Sequence, residues 1–122
     1  MNYGKNDEKP KIASFELYQY EALKTQQVFP DPKQKLTNAA LGLAGEMGEI
    51  IEPIKKFLTG TLPTLEPDKM REEIGGVLWY MASLCDCLGI TLREVAEYNI
   101  WQLRKRHGDK FSGYGNRDWE GK

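Results

Sequence analysis

Apolar residues recur along this chain at steps of three and four, the period at which side chains return to one face of an α-helix. Ser14 is placed to cap a first helix carrying Phe15, Tyr18, Ala22 and Phe29, which Pro30-Asp31-Pro32 interrupts. A second helix is predicted from about Leu36 to Leu58, with Leu36, Ala39, Ala40, Leu43, Met47, Ile50, Ile51, Ile54 and Leu58 as a broad apolar stripe. Thr59-Gly60-Thr61-Leu62-Pro63 reads as a loop. A third helix opens near Pro67-Asp68 and runs to a C-cap at Gly89. A fourth starts at Thr91, where Thr91 and Glu94 make a capping-box signature, and carries Leu92, Val95, Ile100 and Leu103 to Arg106. Strand-like alternation of useful length is missing, so the pattern predicts an all-α bundle of four main helices. The expected organisation is a single domain over residues 1–122, with a core from about residue 14 to residue 107. The lysine-rich segment up to about residue 12 and the tail from Gly108 to Lys122 are expected to be irregular.

Acids interrupt two of these apolar helices. Glu46 and Glu49 share a helix face, and Glu52 extends the row one step further. Glu72 and Glu73 open the third helix. Carboxylates set among Met47, Ile50, Ile51 and Ile74 are costly to bury unless a cation meets them. Two such rows on two helices point to a shared ion held by oxygen ligands, magnesium being the natural choice, and so to phosphate chemistry. Gly42, Gly45 and Gly48 lie on the same helix as the first row, each at a cost of about 0.5–1 kcal/mol relative to alanine. They are expected to admit the close approach of another helix or a ligand. Pro53 is expected to bend the helix just past the acids.

Composition narrows the field. The 17 Lys+Arg against 18 Asp+Glu leave a net charge of -1, so no basic field favours nucleic acid. No apolar run approaches the roughly 18 residues of a membrane span, and the N-terminus has no signal-peptide core, so no membrane partner and a cytoplasmic location are expected. A single histidine, His107, excludes a multi-histidine metal site, and Cys85 and Cys87 read as small buried thiols in a reducing compartment.

The two acidic segments, Gly42-Leu43-Ala44-Gly45-Glu46-Met47-Gly48-Glu49 and Glu72-Glu73-Ile74-Gly75-x-Val77-Leu78-Trp79-Tyr80, resemble the signature of MazG-like nucleotide pyrophosphohydrolases, an all-α superfamily. Phe15-x-x-Tyr18-Gln19-x-x-Ala22-x-x-Thr25 is similar to that family's first helix. Gly89-Ile90-Thr91-Leu92-x-Glu94-Val95-Ala96 and Asn99-Ile100-x-x-Leu103-x-x-Arg106 are similar to its last. The resemblance covers about residues 15 to 112 and implies magnesium-dependent hydrolysis of a nucleoside triphosphate, (d)NTP, to a monophosphate and pyrophosphate, with Mn2+ as a substitute ion. In the family's ExxE and ExxD pattern, Glu46, Glu49 and Glu73 match metal ligands, with Glu46 or Glu49 also orienting the water. The fourth acid falls on Gly76, and Gln102 stands where a lysine is common. Glu72 and Glu52 are the neighbours able to compensate; the alternative is a degenerate nucleotide-binding member with weak turnover. The resemblance and side-chain type make Asn99 and Arg106 phosphate or sugar contacts. Lys56 lies within reach of outer phosphates, and Asn38, Leu41, Trp79 and Tyr80 are candidates to line a base slot, the two aromatics more readily as packing. The resemblance further implies a homodimer or homotetramer that completes the bundle.

Overall fold

The computed structural model describes residues 8–108 as four helices: α1 (Phe15–Leu23), α2 (Pro32–Leu58), α3 (Pro67–Cys87) and α4 (Leu92–His107). Residues 1–7 and 109–122, and with them most of the two segments expected to be irregular, lie outside the described residues.

Helices α1, α2 and α4 each start at a side-chain cap, whereas α3 starts after Glu66 without one. The Ser14 hydroxyl accepts from Leu17 N at 3.0 Å. The Asp31 carboxylate accepts from Lys33 N at 3.0 Å, with Pro32 in the first turn, where its missing N–H costs nothing. This cap starts α2 four residues before Leu36; apolar periodicity alone misses a first turn made of Pro, Lys and Gln. At α4 the capping box forms in full: Glu94 N donates to Thr91 Oγ1 and Thr91 N donates to Glu94 Oε2, both at 3.1 Å. Helix α3 ends as the sequence suggests. Gly89 takes φ +69°, and Ile90 N and Gly89 N return to the carbonyls of Cys85 and Asp86.

Helix α1 is shorter than expected. Helix α1 stops at Leu23, and Phe29 lies beyond it. Gln26 N turns back to the Leu23 carbonyl, and the Thr25 hydroxyl donates to the Ala22 carbonyl, taking over the backbone groups that would propagate the helix. Pro53 stands inside α2, which continues to Leu58 as expected.

Helix α3 is the hub. It packs along α2 on one side and against α1 and α4 on the other, while α4 does not reach α2 among the described residues. The core is small and lined by short side chains: Ala39, Ala82, Ser83, Cys85 and Leu92 are buried. Cys87, expected to be buried, is only half-buried. Val95 and Ile100 stay exposed, because α4 turns its Leu92 end toward Ala82 and Cys85 and leaves the rest of that face uncovered. Polar clamps join α1 to the hub. Buried Gln19 accepts from Leu92 N at 3.0 Å and donates to the Ala82 carbonyl at 3.4 Å. The Trp79 indole N–H meets the Ala22 carbonyl at 3.0 Å and Thr25 Oγ1 at 2.9 Å. No single described helix is long and apolar enough to cross a membrane.

Candidate metal centre

Helices α2 and α3 form an antiparallel hairpin whose register sets the site. Moving up α2 through Lys35, Gly42, Glu46 and Glu49, the partners on α3 descend through Asp86, Tyr80, Gly76 and Glu73. Two of these pairings depend on a missing side chain. At Gly42 a methyl would fall within 2.6 Å of three Tyr80 ring carbons, so the ring lies directly on the α2 backbone. At Gly76 a methyl would fall 2.7 Å from the Glu46 carboxyl carbon. Gly45 and Gly48, expected to serve the same purpose, have open space at the corresponding position.

Below these contacts Glu46, Glu49 and Glu73 converge. Each offers a carboxylate oxygen within 4.8 Å of the others', and among the described residues this is the group suited to a metal ion. An octahedral magnesium with oxygens at about 2.1 Å needs neighbouring ligands about 3 Å apart and opposite ones about 4.2 Å apart, so small side-chain motions close the trio around an ion. Glu73 is 7% exposed, a burial that a lone carboxylate does not tolerate. Lys69, one turn earlier on α3, supplies the charge: its ammonium stands 2.8 Å from Glu73 Oε1. That contact, and then a hydrogen bond from Glu49, hold Glu73 below the usual carboxylate range. Glu49 shifts the other way. Its proton is shared with Glu73, the charge of Glu46 adds to the effect, and its pKa is raised. The trio is thus a concentration of carboxylates that raises the pKa of Glu49 and draws an ammonium to Glu73. A divalent cation meets the same demand with better-matched ligands.

The neighbouring acids take no part. Glu72 points outward at 73% side-chain exposure, 3.8 Å from Lys69, and Glu52 pairs at 3.8 Å with Lys56. Adjacent residues on a helix differ by about 100° in direction, and the packing of α3 turns Glu73 inward and Glu72 out. Sequence spacing leaves Glu72 and Glu52 open as substitutes for a ligand at position 76; neither joins the trio. Lys69 escaped the sequence reading, although a lysine four residues before a buried glutamate was its available signal.

The candidate substrate contacts are dispersed. Asn38 lines an open hollow of about 610 Å³ with Lys33, Gln34, Thr37, Leu41 and Gly42, farther along α2 from the acids. Asn99 and Gln102 line a separate hollow of about 430 Å³ with Tyr98 and Ile90. Asn99 and Arg106 sit on α4, so one chain does not bring them to the α2 acids. Lys56 is exposed on the last turn of α2. Trp79 and Tyr80 are engaged with α1 and Gly42 respectively, and the two rings meet edge to face at 5.0 Å.

Residues 34–111 match the model of the MazG nucleotide pyrophosphohydrolase domain, a span that takes in all but the first two residues of the hairpin, and α4. The Gene 37 protein of Mycobacterium phage L5 is 34% identical over 79 residues, covering 62% of this chain and 69% of that protein. No solved structure matches.

Proposed function

Because this chain belongs to the MazG nucleotide pyrophosphohydrolase family, we propose that Glu46, Glu49 and Glu73 hold magnesium, or manganese in its place, and that the protein hydrolyses a nucleoside triphosphate to a monophosphate and pyrophosphate. The observation that carries this reading is the convergence of three carboxylates from two helices inside the matched domain. A bound divalent ion polarises phosphoryl oxygens and makes water a better nucleophile at neutral pH. The chain's own residues then divide the remaining work. Glu73, buried and paired with Lys69, is the fixed anchor. Glu46 and Glu49, less constrained, are the carboxylates able to orient the attacking water. Water adds at the α-phosphorus, the bond to the α–β bridging oxygen breaks, and pyrophosphate leaves.

Asn38, at the open hollow on α2, is our candidate for reading the base or sugar, and Lys56 for the outer phosphates. Asn99 and Arg106 reach the same substrate only from a second copy, which favours a homodimer or homotetramer. Leu36, Ala40, Met47, Ile51 and Leu58 supply a surface for it, an exposed row repeating at helical spacing along α2. Light scattering after size exclusion tests the assembly, with a monomer at working concentration as the contrary result.

A second reading rests on Gly76 and Gln102: a member that binds nucleotide with little turnover. Pyrophosphate release measured across the common ribo- and deoxynucleotides, with and without magnesium, separates the two. Metal-dependent release that Glu49→Ala removes supports the hydrolase. Nucleotide binding without release supports the second reading.

A further inference from the structure

A glycine in a helix interior costs about 1 kcal/mol relative to alanine, and α3 carries two in succession, Gly75 and Gly76. Their surroundings differ. A side chain at Gly75 meets open space, whereas one at Gly76 collides with the Glu46 carboxyl group. Gly75 is therefore an internal control for Gly76.

We infer that Gly76 is the seat of the Glu46 carboxylate: the bare Cα of α3 opens the room in which Glu46 stands with Glu49 and Glu73, so this chain builds its metal site from three carboxylates with no acid at position 76. The inference rests on the metal-site reading of the trio. Its geometry is specific. A methyl at position 76 lies 2.7 Å from Glu46 Cδ and 3.3 Å from Cγ, so it displaces the end of the side chain and leaves the α3 backbone in place. The end of a glutamate swings aside readily, so the helix survives the change while the ligand leaves its position. Gly76 is accordingly a positioning residue, acting through Glu46.

The experiment is a titration with Mn2+ alone, followed by electron paramagnetic resonance of the free ion, on the full chain and its variants, with thermal melts in the absence of metal. The parent is expected to bind Mn2+ and to lose it on Glu49→Gln. Gly75→Ala should bind as the parent does. Gly76→Ala should melt no lower than the parent yet bind Mn2+ about 10- to 100-fold more weakly, the range typical of a lost supporting residue. Glu46→Gln should weaken binding similarly, and the double variant Gly76→Ala/Glu46→Gln should be no weaker than Glu46→Gln alone, since both changes remove one ligand. Parent-like binding by Gly76→Ala, or losses that add in the double variant, overturns the inference while the Glu49-dependent metal site stands. A parent that binds no Mn2+, or binds it regardless of Glu49, removes the metal site itself and the inference with it.

Discussion

The ammonium of Lys69 stands 2.8 Å from the carboxylate of Glu73, the one buried acid of the described chain. Both lie on α3, four residues apart, so the pair needs no other helix to form. It places a protein cation against a carboxylate of the proposed metal site.

At the proposed metal site, Lys69 competes with the ion. Lys69→Met is expected to tighten Mn2+ binding by about two- to fivefold, the scale of one partly exposed ion pair, and to lower the melting temperature of the metal-free protein. Titration calorimetry of the parent and the variant reads the first effect, and thermal melts without metal the second. Weaker binding in Lys69→Met would mean that the lysine orients Glu73 for the ion.

Glu49→Ala removes a proposed ligand from a crowded trio. Magnesium-dependent pyrophosphate release is expected to fall by more than the about 10- to 100-fold that losing an outer partner costs. The metal-free fold should hold, because the substitution relieves like-charge repulsion. Melts with and without magnesium should show a ligand-dependent rise in the parent alone. A rise of equal size in both proteins would place the ion elsewhere.

At the proposed metal site, proton and metal compete for Glu49. Its pKa is raised by the proton shared with Glu73 and then by the charge of Glu46, while Glu73 is lowered first by Lys69. Metal binding requires deprotonated carboxylates, so affinity for Mn2+ should climb as pH rises through the raised pKa of Glu49 and then level off. The metal-free protein follows the opposite trend in that window. The native state holds the extra proton, so the stability linked to Glu49 is present at lower pH and is lost as pH rises past its folded pKa. The stability linked to Glu73 is present above its unfolded pKa and disappears only as pH falls through its depressed folded value. Melts across the acidic range should show that Glu49→Gln flattens the decline on the high-pH side. An unchanged profile in Glu49→Gln would assign it to another group.

Gly42→Ala tests the hairpin away from the acids. Alanine improves helix propensity by about 1 kcal/mol, yet its methyl would fall within 2.6 Å of three Tyr80 ring carbons. Overpacking of this kind typically costs about 1–3 kcal/mol, so urea denaturation should show a net loss of stability. Gly45→Ala, at an open position on the same helix, should show a gain.

Much of this architecture is written locally. Serine at position 14, aspartate before Pro32, the Thr91–Glu94 box and glycine at position 89 each satisfy backbone groups within a few residues, so the sequence alone determines the starts of α1, α2 and α4 and the end of α3 once caps are read with periodicity. The i,i+3 spacing of Glu46 and Glu49 is equally local and puts both on one face. Other choices belong to the packed hairpin. Glu72 and Glu73 are neighbours of identical chemistry, and only the rotation of α3 against α2 sends one into the trio and the other to solvent. Five glycines on α2 and α3 look alike in sequence, while the register gives Tyr80 to Gly42 and the Glu46 carboxylate to Gly76, and leaves Gly45, Gly48 and Gly75 open. Caps and helical spacing act over one or two turns, whereas register is set by the sum of contacts between two whole helices, so it was decided only when α2 and α3 came together.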